Sequence, residues 1–175
     1  MTYFRLFVFL LSLVSQPLLA SEISGLFTVD MSKLFRSSDF GKDIISANNK
    51  ARQKLQNENE ELESRLLSEE KELSEQRKIL SPDEFRPKAL KFDKKVSIIR
   101  TEQGEKEENL INKARKDESE FYKRIYPLLY ELLLARGGLV LIDQRNVLLW
   151  DSSVDITDDA IKLINQVLGK EVKSN

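Results

Sequence analysis

The feature that most constrains this chain is a run of one hundred residues, 37–136, holding only two glycines and three prolines and dense in Glu, Lys and Arg. Such a run, with thin apolar stripes at helical spacing, predicts long solvated helices rather than a compact core. A two-helix arm of this kind has no interior roomy enough for a reaction site. The job expected of it is mechanical, holding something rather than transforming it.

The stripes set the geometry. Ile44, Ala51, Leu55, Leu62, Leu66 and Leu73 recur at 7, 4, 7, 4 and 7, an eleven-residue repeat. Eleven residues over three turns is about 3.67 per turn, which predicts a nearly straight or weakly right-handed pairing. Phe85, Ala89, Phe92, Val96 and Ile99 then form a heptad seam, followed by a poor stretch near Gln103 and Gly104 and by Leu110, Ala114, Phe121, Ile125 and Leu128. Between the limbs, Ser81, Pro82, Asp83 and Glu84 carry the signals of a new helix start: a cap, a proline for the first turn, and two acids for the positive helix end. The tip of the arm is therefore expected at residues 81–84. Pro87 is expected to loosen the first turn or delay the regular limb, Pro127 to bend or interrupt it, and Gly137-Gly138 to end it.

The flanks read differently. Leu26 to Val29 suit a short buried strand, Met31 to Phe35 a helical turn, and Ser38 or Asp39 an N-cap for the first limb. Beyond the arm, Leu139 to Ile142 and Val147 to Trp150, separated by Asp143-Gln144-Arg145-Asn146, predict a two-stranded hairpin. Thr157 is expected to cap a last helix with Ile161, Ile164 and Leu168 inward and Gly169 at its end. The fold class expected is α+β: a long antiparallel coiled-coil hairpin, residues 37–137, on a β-rich body of residues 21–36 and 138–175. Both strands after the arm are apolar at successive positions, so both faces need cover that one chain lacks. A homo-oligomer pooling its strands follows, with Leu26, Val29, Leu139, Leu141, Leu149 and Trp150 in the shared body. A monomer with the hairpin folded back on itself is the competing expectation.

Residues 1–20 read as an export signal, with Arg5 ahead of an apolar run and cleavage expected near Ala20. A soluble exported protein of the periplasm is the consequence. With no Cys and no His, disulfides, thiol nucleophiles, imidazole acid/base work and the usual zinc sites are all out of reach. The six glycines make no phosphate-cradling loop, and the carboxylates are strewn along helices, so no enzyme and no cofactor is expected. Asp30, Asp143 and Asp151 each follow a strand and are expected to cap turns rather than to converge on a site.

The whole chain carries a formal charge of −1, yet the arm is polarised. Residues 56–75 hold eight acids against two bases, and residues 77–100 hold eight bases against three acids. Arg77, Lys78, Arg86, Lys88, Lys91, Lys94 and Lys95 thus form a basic tip suited to anionic lipid, lipopolysaccharide phosphates or acidic segments of a client. Pairing of opposite charges across the limbs is the competing expectation. Nucleic acid is not an expected partner, since no aromatic and basic residues interleave as a stacking platform.

The order of parts, with Leu26-Phe27-Thr28-Val29-Asp30-Met31-Ser32-Lys33-Leu34-Phe35 at one end and Gly138-Leu139-Val140-Leu141-Ile142-Asp143 through Ser152 to Asp155-Ile156-Thr157-Asp158 at the other, resembles the Skp/OmpH family of periplasmic chaperones. That resemblance implies a homotrimer whose strands form a small barrel. It implies three arms around a cavity that shields unfolded outer-membrane proteins without ATP, and a basic tip that touches lipid. A periplasmic scaffold or spacer that binds no unfolded chain is the alternative.

Overall fold

A computed structural model of the chain describes residues 25–169, and the expected export signal of residues 1–20 lies outside them. The element order is β1 (Leu26–Val29), α1 (Met31–Ser37), α2 (Asp39–Gln76), α3 (Pro82–Ala135), β2 (Val140–Asp143) and α4 (Thr157–Val167), with single 3-10 turns at Gln144–Asn146 and Ser152–Val154. The chain is thus mostly helical with a two-stranded sheet.

Local chemistry explains the helix starts. Asp30 accepts from the Lys33 amide at 2.8 Å and caps α1, while Ser38 accepts from the Gly41 amide at 3.2 Å and caps α2. Glu84 reaches back to the Ser81 amide at 3.1 Å and accepts the Ser81 hydroxyl at 2.7 Å, fixing the start of α3 behind Pro82. At the other end Gly137 sits at φ +66°. There the Gly138 amide donates to Leu133 O at 2.8 Å and the Gly137 amide to Leu134 O at 2.9 Å, a glycine-capped helix stop.

α2, with 38 residues, and α3, with 54, run to roughly 57 and 81 Å and lie side by side. The six apolar positions of the eleven-residue repeat are all half-buried, as are Phe85, Ala89, Phe92, Val96 and Ile99 opposite them. Two cross-limb ion pairs, Glu69 with Lys95 and Glu58 with Lys106, fit one antiparallel register. α3 is unbroken through both Pro87 and Pro127. Of the bend or interruption expected at Pro127, the interruption does not occur, because Phe121, Ile125, Leu129 and Leu133, spaced by four on both sides of it, are buried in the core and keep the chain helical. Tertiary packing outweighs one missing hydrogen bond.

That core is at the arm's base. Phe121 is fully buried, edge-on to Phe35 at 5.0 Å between centroids and stacked on Phe40 at 5.5 Å. Val29, Met31 and Leu34 from the first elements and Ala160, Ile164 and Leu168 from the last close around the same four α3 residues. A side chain the size of Phe121 contributes roughly 2–3 kcal/mol through burial alone. Gly41 lets α2 pass close beneath α1: a Cβ there would stand 1.9 Å from Phe35 O.

The sheet differs from expectation. β1 and β2 pair in parallel, with Leu26 opposite Val140 and Val29 opposite Asp143, so the whole arm is the crossover between them. The expected second strand of a hairpin, Val147 to Trp150, pairs with nothing among the described residues. Gln144–Asn146 winds into a 3-10 turn that carries it away from β2 and leaves Leu148 and Leu149 exposed. Leu149 and Trp150 are therefore outside the core of the single chain. Thr157 also departs from its expected role. It is the first residue of α4, not its cap, because its hydroxyl oxygen accepts from the Asp30 amide at 2.9 Å and its own proton goes to Asp155 at 2.5 Å.

Candidate functional site

Among the described residues, no group of three or more His, Cys, Asp or Glu is placed to hold a metal ion. Asp30, Asp143 and Asp151 each spend a carboxylate on a local amide, those of Lys33, Arg145 and Ser153, and do not converge. The surfaces that remain are the arm and the flank of the body.

Along the arm, Leu67, Ile79, Leu90, Ile98 and Ile111 are exposed, standing outside the half-buried seam. Between the limbs a cavity of about 640 Å³ opens, walled by Leu62, Leu66, Leu67, Phe92, Val96 and Ile99. Gln103 also lines it, and its side-chain carbonyl is buried without a hydrogen-bond partner. Seam residues this sparse leave apolar handholds spread over the arm's length rather than one deep pocket.

The basic tip divides in two. Lys95 is spent across the limbs on Glu69, Lys78 on Glu75 at 2.7 Å, and Arg77 lies 5.9 Å from the centre of the Phe85 ring. Arg86, Lys88, Lys91 and Lys94 are exposed and enter no ion pair among the described residues. Below the tip, a hydrogen bond from Lys106 and that ammonium's charge hold the Glu58 carboxyl below the ordinary range. Exposed pairs of this kind contribute little to stability. They set which charges are left for a partner.

At the base, a second cleft of about 650 Å³ runs between α3 and β2. Val29, Met31, Leu129 and Leu133 form its floor, and Tyr126, Tyr130 and Leu139 its rim. Tyr122 lies at one end, its hydroxyl donating to Glu118 at 3.3 Å; burial and that neighbouring carboxylate push its pKa up. Arg145 closes the other end with a forked contact to Asp143, which holds that carboxyl below its usual range. Of the residues expected in a shared body, Val29 is buried, Leu141 half-buried, and Leu26, Leu139, Leu149 and Trp150 exposed. The tyrosine cleft was not among the sequence expectations. The four-residue spacing of Tyr122, Tyr126 and Tyr130 is the signal that marks it.

A hairpin of helices inserted between two short parallel strands can be compared with known proteins. The family model described as outer membrane protein (OmpH-like) matches residues 25–164. The chain belongs to the OmpH-like family. Its described fold also matches the crystal structure of an OmpH-like protein from Caulobacter crescentus, provisionally assigned as an outer membrane chaperone. The TM-score is 0.77 at 19% identity, covering 83% of this chain and 86% of that one. No curated protein sequence matches this OmpH-like chain. No helix among its described residues is long and apolar enough to cross a membrane.

Proposed function

We propose that this OmpH-like chain is an ATP-independent holdase of the periplasm that keeps unfolded outer-membrane proteins from aggregating. The observation that carries this reading is the arm. Five exposed apolar side chains, Leu67, Ile79, Leu90, Ile98 and Ile111, lie along a charged hairpin of two long helices. An unfolded barrel strand presents alternating apolar residues, and scattered weak contacts suit it without imposing one geometry. Several arms acting together raise the effective concentration of such contacts, so modest single affinities retain a client and still release it. In this reading three copies join through their bodies, the arms enclose the client, and Arg86, Lys88, Lys91 and Lys94 meet acidic client segments or anionic lipid at the open end.

The test is aggregation of a urea-unfolded outer-membrane barrel protein after dilution, followed by light scattering. The expected result is suppressed scattering in the absence of nucleotide. Scattering that rises as fast as in buffer would overturn the holdase reading and leave the scaffold alternative standing.

A further inference from the structure

We propose that the cavity between the limbs is a slot for one short extended segment of an unfolded client, in which a large apolar side chain stands beside Lys or Arg. This deepens the holdase reading above and rests on it.

The slot follows from the seam. Phe92, Val96 and Ile99 continue the heptad of α3, whose next position is Gln103, and Gly104 beside it has no side chain to offer. An apolar residue at that position would close against α2. A polar amide followed by a bare glycine leaves the limbs apart, and the cavity of about 640 Å³ opens here. Two ion pairs bracket it, Glu58 with Lys106 at 3.0 Å toward the base and Glu69 with Lys95 toward the tip, eleven positions apart on each limb. The limbs are thus pinned at both ends of a stretch roughly 16 Å long. An extended chain covers that distance in about five residues.

Three features of the slot choose its occupant. The floor of Leu62, Leu66, Phe92, Val96 and Ile99 suits a large apolar side chain. Gln103 Oε1 is buried there without a partner and calls for a donor, which the backbone N–H of an extended segment supplies. The rim is acidic: Glu63, Glu70 and Glu107 stand against Arg100 alone, and none of the four enters an ion pair among the described residues. That balance favours Lys or Arg in the occupant and repels a phosphate or carboxylate headgroup, so a lipid fits less well than a peptide. The arm then has two zones, basic at the tip for acidic groups and acidic along the slot for basic apolar segments.

The experiment measures binding of dye-labelled peptides of that length by fluorescence anisotropy. One peptide sets phenylalanine between lysines, one sets it between glutamates, and one is the lysine peptide methylated on the phenylalanine nitrogen, which removes the N–H donor. The full chain is compared with Gln103→Leu and with Glu63→Gln/Glu70→Gln, and circular dichroism checks that each stays helical. The lysine peptide is expected to bind the wild type at least about fivefold more tightly than the glutamate peptide, and Glu63→Gln/Glu70→Gln should shrink that ratio. Methylation should weaken binding to the wild type at least about threefold and make no difference to Gln103→Leu. A smaller preference for lysine, or a methylation effect that persists in Gln103→Leu, overturns the slot and leaves the holdase reading intact if aggregation is still suppressed. Vesicles of anionic lipid that displace the lysine peptide from the wild type but bind Gln103→Leu poorly also overturn it, assigning the slot to lipid. Peptide binding with all the expected differences, beside a client that precipitates as fast as in buffer, supports the slot and overturns the holdase reading instead.

Discussion

The backbone amide of Asp30 donates to the hydroxyl oxygen of Thr157 at 2.9 Å, across 127 positions of sequence. This one bond ties the end of β1 to the start of α4 and so closes the body around the base of the arm. Thr157 in turn donates to Asp155, whose carboxylate also accepts from the Thr157 amide at 2.9 Å. Replacing Thr157, which is 2% exposed, by the near-isosteric valine leaves the Asp30 amide and one Asp155 contact unmet. A loss of about 1–3 kcal/mol is expected, read as a lower melting temperature by calorimetry.

Two glycines should respond oppositely to alanine. At Gly41 the new methyl would meet Phe35 O at 1.9 Å, whereas nothing lies within 4 Å of it at Gly104. Gly41→Ala is expected to cost about 2 kcal/mol or more by forcing α1 and α2 apart. Gly104→Ala should stabilise the arm by roughly 0.5–1 kcal/mol. Denaturant melts of the two variants check both signs.

Phe121→Ala is expected to cost about 3–5 kcal/mol, because it removes a fully buried ring shared by Phe35, Phe40 and Tyr122. Leu66→Ala, at a half-buried seam position, should cost well under half of that. The same melts compare them, and the contrast places the stability in the base rather than in the arm.

Gln103 carries a buried carbonyl with no partner beside the interlimb cavity. Gln103→Leu removes that penalty, worth about 1–3 kcal/mol, and adds apolar contact. Slower amide exchange in α3 around residues 99–110 is the expected readout, with the limbs held together more tightly.

The pH profile should be flat near neutrality and fall in acid. The chain has no histidine to titrate between about pH 5 and 8. A hydrogen bond from Arg145 depresses Asp143. Burial raises Asp155, but bonds from Thr157 and Gln144 outweigh it, so both carboxylates lie below the ordinary value of 3.8. A depressed folded pKa means stability that is complete above 3.8 and lost as pH falls through the folded value. Thermal melts between about pH 3 and 8 should show this, with a shallower acid fall in Asp155→Asn.

What could be read from sequence is what is decided locally. Ser38 and Ser81 with Glu84 announce helix starts through bonds three residues away, and Gly137 announces a stop through its own backbone, so the helix limits come out close. The two seams are equally legible because periodicity is a local property. The misreadings are tertiary. Leu148 and Leu149 look like a strand whether or not a partner exists in the same chain, and here none does. Thr157 looks like a cap until Asp30 arrives from the far end of the chain, and Pro127 looks like a break until the core on both sides keeps the helix continuous. The crowding at Gly41 likewise depends on where α1 crosses α2.

The most direct measurement of the central claim is the native mass of the species formed when the purified protein meets an unfolded outer-membrane barrel protein. The account predicts one client held by three copies of the chain. Solitary chains beside free or precipitated client would contradict it.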